Sequence, residues 1–320
     1  MSSPILFAIA ALIWGSTFFA ITLQLGEVAP AVSVAYRFGL ASATLFAWCL
    51  LRGDNLRLPW RAQRWVMLQG FFTFALSYVC TYGSEQYLVS GLVAVLFALM
   101  VFWTPICSRI AFGTPISWRT WAAGVIAIIG VTMLFYNSIA GAWKDIAGGG
   151  TGHFLLGLVL ALVATIASSA GTVVVAKVRE QASNLLLTMA WSMFWGTSMV
   201  IAWALATGQP FVLPRAPRYW MALLYLSLFG SVIAFHAYFT LINRIGSAKA
   251  VYIGVVTPVI SVLLSIQLEH YRPGPVEWLG MAVCLASVAW ALRAPAPVSA
   301  TPPSTQPAPE ATLAAIPEVP

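Results

Sequence analysis

Long apolar stretches separated by short polar connections form the dominant pattern of the sequence. A helix needs about 20 apolar residues to cross roughly 30 Å of hydrocarbon at 1.5 Å per residue. Ten stretches meet this requirement, and each predicts a membrane-spanning helix. They cover residues 4–23, 30–51, 65–88, 90–111, 119–137, 153–176, 184–206, 218–243, 247–268 and 276–293.

Composition supports a chain whose solvent is lipid. Hydrophobic residues make up 60% of the sequence and charged residues only 8%, whereas a soluble domain carries roughly a quarter charged residues. The net charge of +7 comes from cations placed between apolar stretches, which argues against nucleic-acid binding. The four cysteines lie inside apolar stretches without metal-type spacing, so neither a metal nor another cofactor is expected.

The distribution of Lys and Arg predicts the orientation in the membrane, because the richer side is cytoplasmic. Both termini are then cytoplasmic, and the first stretch is a retained span with no cleavage site after it. The richer side would hold Arg52, Arg57, Arg61, Arg64, Arg109, Arg119, Lys177, Arg179, Arg244, Lys249 and Arg293. The other side would hold Lys144, Arg215, Arg218 and Arg272.

Two hairpins of similar length and punctuation indicate an internal repeat. The hairpin that starts at Ser90 and the one over Ser247–Gly280 each contain an apolar stretch, a Pro/Gly turn and a second apolar stretch. Five spans per half is an odd number, so the second half would insert upside down. We expect a first five-helix repeat over 1–147, an inverted second repeat over 148–293 and a disordered Pro/Ala-rich cytoplasmic tail over 294–320.

Several short motifs resemble those of the drug/metabolite transporter superfamily, in its ten-helix EamA-type branch. They are Trp14-Gly15-Ser16-Thr17, Arg37-Phe38, Gly246-Ser247-Ala248 ahead of Pro258, and Glu277-Trp278-Leu279-Gly280. The first half departs from the pattern, with Val101 at the place of Pro258 and a proline one turn later. The aromatic spans look most like YddG-type exporters of aromatic amino acids. The resemblance implies an all-helical inverted-repeat fold and export of small metabolites across a bacterial inner membrane.

Arg37 is the cation placed deepest in a predicted span. A cation in hydrocarbon is costly unless it finds water, a partner or the interface. It would therefore attract a substrate carboxylate, form an ion-pair latch, or extend toward the headgroups. Tyr78, Tyr82 and Glu85 follow with i, i+4, i+7 spacing, which places them on one helix face. We expect the tyrosines to bind substrate or pack at an interface, and Glu85 to gate or be solvated.

Other candidates come from aromatic and polar residues within the spans. His236 could relay a proton or be a satisfied core histidine. Pro258 removes a helix hydrogen bond in mid-span and would act as a hinge or a static kink. The remaining aromatics would line a central cavity or pack in the core: Trp14, Trp103, Trp191 and Tyr252.

A secondary carrier explains these features best among the classes considered. An intramembrane enzyme would need acids, paired histidines or an activated nucleophile inside the spans, and the acids lie at span ends, in connections or in the tail. A passive pore would favour a polar ring from several spans. The sequence contains no phosphate-binding loop, so direct use of ATP is not expected. With Arg37 alone inside a span, the expected cargo is neutral or zwitterionic, such as an amino acid, or a drug-like neutral compound.

Overall fold

The computed structural model describes residues 2–139, 141, 152–245 and 253–292, and regular structure in these ranges is helical. The first half contains α1 (Ser3–Thr22), α2 (Pro30–Leu51), α3 (Trp60–Gln69, Gly70–Leu76 and Ser77–Ser84), α4 (Ser90–Phe97 and Met100–Phe112) and α5 (Trp118–Leu134). The second half contains α6 (His153–Gln181), α7 (Leu185–Ala206), α8 (Pro217–Leu224, Tyr225–Ile233 and Ala234–Ile245), α9 (Ile253–Leu268) and α10 (Pro275–Leu292).

Each predicted span corresponds to one of these helices, although not all satisfy the same criterion of length and composition. Six helices are long and apolar enough to cross a membrane, and the two segments of α4 make a seventh if they form one span. The helices α5 and α9 are apolar but shorter within the described residues. The helix α3 begins with Arg61 and Arg64, which lower its apolar character. The chain is therefore an all-helical polytopic membrane protein.

Local sequence signals set many of the helix ends. Prolines open α2, α8 and α10, where a missing backbone N–H costs no helix hydrogen bond. The side chain of Ser117 accepts from the backbone N–H of Thr120 at 3.2 Å, and that of Asn184 from Leu187 at 3.2 Å. These residues cap α5 and α7. Gly113 ends α4 in the left-handed conformation, with φ of 69°.

Two π-helical segments interrupt α3 and α8 at equivalent places, which the hydrophobic pattern did not predict. They span Gly70–Leu76 and Tyr225–Ile233. A π-helix widens one turn and changes the direction in which the following side chains point. The equivalence between the two halves is a second sign of the internal repeat, and the α8 segment positions residues described below.

The helix α4 is broken before Val101, the residue that stands at the place of Pro258 in the first half. Its two segments meet at Ala98–Leu99 with a bend of 41°. Pro105 lies six residues further on and removes the hydrogen bond to the carbonyl of Val101, so it weakens this part of the helix. Pro258, in contrast, is buried inside the single helical segment Ile253–Leu268. Its role in gating stays a prediction.

Packing pairs helices of the first half with helices of the second. The helix α2 packs on α7, α4 on α9 and α5 on α10, while α1 lies against α8 and α9 and α6 lies against α3 and α4. Helices five apart in the chain therefore have equivalent neighbours, as expected of a repeat. The predicted seam at 148–150 and tail at 294–320 lie outside the described residues.

The exterior of the bundle is strongly apolar. Leu51, Trp60, Ile110, Ile128 and Trp203 are examples of large hydrophobic side chains that are more than half exposed. Such a surface is unfavourable in water and suits contact with lipid chains.

Candidate functional site

Arg37 is buried in the bundle and is not extended to its surface. Its side chain is 1% exposed, and Nε donates a hydrogen bond to Oγ of Ser231 at 3.3 Å. The guanidinium carbon lies 4.7 Å from the centre of the Tyr78 ring and 5.1 Å from that of Phe38. The guanidinium is therefore held by a hydroxyl and two aromatic rings.

The π-helical segment of α8 shapes the surroundings of Arg37. Oγ of Ser231 donates to the carbonyl of Leu226, five residues back, at 2.9 Å. Oγ of Ser227 donates to the backbone carbonyl of Arg37 at 3.0 Å, which joins α8 to α2. A Cβ on Gly230 would lie 3.3 Å from Nη2 of Arg37. A small residue at this position therefore leaves room for the guanidinium.

Arg37 has no carboxylate partner within 4.0 Å among the described residues. The ion pairs found there join Arg52 to Asp54 at 3.8 Å and Lys177 to Glu180 at 2.9 Å. Nη1 of Arg37 has no hydrogen-bond partner either. A guanidinium without a compensating anion costs several kcal/mol at such depth. This cationic site is therefore unsatisfied in the structure.

Tyr82 and Gln24 extend the polar cluster toward the end of the bundle where α1 meets α2. Tyr82 is fully buried, and its hydroxyl donates to Oε1 of Gln24 at 2.8 Å. The same hydroxyl interacts with the Arg37 guanidinium. Gln24 is also fully buried, and none of the described residues forms a hydrogen bond with its Nε2. Two donors, on Gln24 and Arg37, are thus unused beside one tyrosine.

Glu85 is buried rather than solvated. It lies one residue beyond the end of α3, is 6% exposed, and neither carboxylate oxygen has a hydrogen-bond partner in the described part of the chain. The larger charge interaction of this carboxylate is with the like-charged Glu269 and the smaller one is with Arg37, and no ion pair within 4.0 Å joins it to Arg37 among the described residues. Glu269 differs, because Ser90 and Ser265 donate hydroxyl hydrogen bonds to it. The face carrying Tyr78, Tyr82 and Glu85 therefore points into the bundle.

A row of aromatic rings connects Trp14 to the arginine site. Ring centres are separated by 5.2 Å between Trp14 and Phe235, 5.9 Å between Phe235 and Phe74, 5.0 Å between Phe74 and Phe38, and 4.6 Å between Phe38 and Tyr78. Nε1 of Trp14 donates to the carbonyl of Gly230 at 3.3 Å. Rings from α1, α8, α3 and α2 thus form one continuous row of packed aromatic side chains.

Trp191 and Trp103 occupy other parts of the bundle. Nε1 of Trp191 donates to the carbonyl of Leu56 at 2.9 Å, in the connection after α2, and its ring packs against Phe46 at 5.2 Å. Leu56 follows the C-terminal end of α2. Arg37 lies toward the other end of α2, where Tyr82 links it to Gln24. Trp191 is therefore not part of the arginine site. Trp103 packs on a separate apolar cluster, and its Nε1 has no partner.

His236 and Tyr252 add nothing that the structure can place beside Arg37. His236 is exposed on the surface of α8, which contrasts with the buried histidine of one sequence interpretation. Tyr252 lies outside the described residues. Roles for both stay predictions.

Sequence reasoning missed several residues of this site. Gln24 follows the predicted first span, where an amide is expected to be solvated. Phe74 and Phe235 were unremarkable among many span aromatics, and Ser231 became significant only through the π-helix. Phe38 had a signal, because it accompanies Arg37 in the family-like motif.

Comparison with known proteins agrees with this architecture. The chain is 30% identical over 282 residues to the "Uncharacterized inner membrane transporter YedA" of Escherichia coli K12, covering 87% of this chain and 86% of the relative. It is 24% identical over 285 residues to the "S-adenosylmethionine/S-adenosylhomocysteine transporter" of Chlamydia trachomatis serovar L2, covering 85% and 84%.

Similarity extends to a solved structure and to a family profile. A crystal structure described without a function aligns with a TM-score of 0.62 at 18% identity, covering 91% of this chain and 96% of the other, and shows the fold alone. The profile of the EamA-like transporter family matches twice, over residues 1–136 and 155–293. The two matches cover nearly the whole predicted bundle, and the chain belongs to the EamA-like transporter family.

Proposed function

We propose that this transporter is a secondary exporter of amino acids with aromatic or other neutral side chains. Cargo would bind near the middle of the membrane and alternate between the two sides as the halves move against each other. Both termini would face the cytoplasm.

The observation that carries the proposal is the buried guanidinium of Arg37, which has no carboxylate partner among the described residues. A substrate carboxylate is the anion that would complete the site, because charge-assisted hydrogen bonds to Arg are strong and directional. The ring row from Tyr78 to Trp14 begins beside this cation. A flat side chain could stack there, with each contact contributing about 0.5–1.5 kcal/mol.

The name of the Chlamydia relative supports an amino-acid head group as the recognised part. S-adenosylmethionine and S-adenosylhomocysteine both carry the ammonium and carboxylate of an α-amino acid at one end and a flat adenine ring at the other. The same pair of features would suit the Arg37 cation and the aromatic row. S-adenosylmethionine is therefore the second candidate cargo.

Counterflow in liposomes tests the proposal. Purified protein is reconstituted with an internal amino acid, and uptake of the labelled compound is followed for a panel of amino acids and S-adenosylmethionine. Saturable counterflow of aromatic or neutral amino acids is expected. Product formation would indicate an enzyme, and unsaturable leak a pore. If only compounds that lack a carboxylate showed counterflow, the assigned cargo would be rejected. Arg57→Ala is the matched control for Arg37→Ala, because Arg57 is exposed in the connection after α2.

A further inference from the structure

Four polar atoms on Gln24, Arg37 and Glu85 are buried without hydrogen-bond partners in the part of the chain that the structure describes. They are Nε2 of Gln24, Nη1 of Arg37, and Oε1 and Oε2 of Glu85. The first two are donors and the last two are acceptors, so the groups are complementary. Tyr82 holds them in one neighbourhood through its hydrogen bond to Gln24 and its interaction with Arg37, and Glu85 follows three residues later on the same helix face.

Opposite charges buried near each other are expected to pair. Arg37 and Glu85 interact electrostatically, yet no ion pair of 4.0 Å or less joins them, and no other such pair includes either residue in the described ranges. Leaving both groups unpaired is unfavourable, because burial removes the water that would solvate each charge. A bound group that carries one positive and one negative charge would give Glu85 and Arg37 a partner each.

We infer that the site recognises the zwitterionic head group of an α-amino acid, with Glu85 as the ammonium-binding residue. The substrate carboxylate would accept hydrogen bonds from Arg37 and Gln24, and the ammonium would donate to the Glu85 carboxylate. The two substrate charges are attached to one carbon, and each charge-assisted hydrogen bond spans about 2.8 Å. The inference rests on the proposed function and extends it from a carboxylate site to a head-group site.

The aromatic row gives the bound head group a direction. The Tyr78 ring lies against Arg37 at one end of the row, and Trp14 lies at the other. A substrate held by its head group between Arg37 and Glu85 would extend its side chain along these rings. Specificity would then be strict for the head group and tolerant for the side chain. A site built for two charges rejects a ligand with one, since the unmatched group remains buried and unpaired.

The wild-type protein tests the inference with three compounds of one ring size. Labelled phenylalanine counterflow is measured against increasing phenylalanine, 3-phenylpropionate, which lacks the ammonium, and phenethylamine, which lacks the carboxylate. Each single-charge compound is expected to inhibit at least about tenfold more weakly than phenylalanine. Equal inhibition by either one would overturn two-charge recognition, without requiring any variant to fold.

Glu85→Gln then assigns the ammonium site. This variant keeps the size of the side chain and removes its charge. The preference for phenylalanine over 3-phenylpropionate is expected to fall by about tenfold or more, because the ammonium loses its ionic partner. Glu180→Gln is the matched control, since Glu180 is exposed and pairs with Lys177 far along α6, and it should keep the wild-type preference.

Two results would count against the inference in different ways. An unchanged preference in a folded Glu85→Gln protein that transports phenylalanine would reject Glu85 while leaving the proposed function intact. Absence of saturable counterflow for every amino acid in the wild-type protein would reject the proposed function, and this inference with it.

Discussion

At the residue scale, the proposed function rests on the buried side chain of Arg37. An arginine in hydrocarbon persists only where it gains something, and here it meets two hydroxyls, from Ser231 and Tyr82, and two aromatic rings. These contacts orient the guanidinium without neutralising it. These surroundings support the proposed role of the guanidinium in binding an anion more than a purely structural role.

Replacing Arg37 with alanine should lower transport by at least about tenfold while the protein still inserts in the membrane. The variant removes one charge-assisted contact, whose contribution is about 1.5–3 kcal/mol. Arg37→Lys should recover part of the activity, because it keeps the charge but not the planar fork. Counterflow rate per correctly inserted molecule is the measurement. Wild-type flux in Arg37→Ala would show that the cation serves no cargo.

Substitution of Tyr78 or Tyr82 with alanine should reduce flux most for amino acids with large side chains. Tyr78 contacts the guanidinium and the ring row, and loss of its ring removes stacking worth about 0.5–1.5 kcal/mol. Tyr82→Phe separates the hydroxyl from the ring, since it keeps the ring and removes only the hydroxyl's interactions with Gln24 and Arg37.

The matched control for these tyrosines is Leu68→Ala, an exposed position on α3. Relative rates for alanine, methionine, phenylalanine and tryptophan give the comparison. If both alanine variants match Leu68→Ala for every side chain, these tyrosines do not line the substrate path.

At the scale of elements, close contact between helices depends on glycines at matched places. Gly130 of α5 and Gly280 of α10 face each other, and a Cβ on Gly280 would overlap the backbone N of Leu134. Small residues let two helix backbones approach closely in lipid, where no hydrophobic effect drives the helices together. The space between α5 and α10 therefore does not admit a side chain at Gly130 or Gly280.

Gly280→Ala should lower the thermal stability of the protein measured in detergent. The added methyl group must push α10 away from α5, and overpacking of this kind costs about 1–3 kcal/mol. Gly254→Ala is the control, because a Cβ at that helical position meets nothing within 4 Å. A stability of Gly280→Ala equal to that of Gly254→Ala would contradict the tight α5–α10 contact.

The π-helical segments have a different role among the elements. In α8 the segment provides Ser227, Gly230 and Ser231, each of which meets Arg37 or lies against its guanidinium. A regular α-helix would rotate these side chains to other directions. Local widening of the helix is therefore what brings α8 and α2 together around the cation.

For the whole molecule, cysteine labelling tests the predicted topology. In a background without the four native cysteines, Ser2→Cys and Glu310→Cys should react from the same side of the membrane as Arg57→Cys. Arg215→Cys should react from the other side. Accessibility to an impermeant thiol reagent in right-side-out and inside-out vesicles gives the answer. Labelling of positions 2 and 310 from opposite faces would exclude an even number of spans.

Membrane location and helix number could be read from the sequence, because both depend on local quantities. Twenty apolar residues span the hydrocarbon wherever they occur, and prolines, Ser117, Asn184 and Gly113 set helix ends through their own backbone and side-chain chemistry. The face shared by Tyr78, Tyr82 and Glu85 followed from helical periodicity alone.

Only the tertiary structure decided what those side chains meet. Periodicity gave Trp191 and Trp14 equal standing, but packing put Trp14 in the ring row with Tyr78 and Trp191 against Leu56. It also buried Gln24 and Glu85, which lie at helix ends where the sequence predicts exposure. Burial and the absence of a partner depend on neighbouring helices distant in sequence, and these are the properties from which the site was inferred.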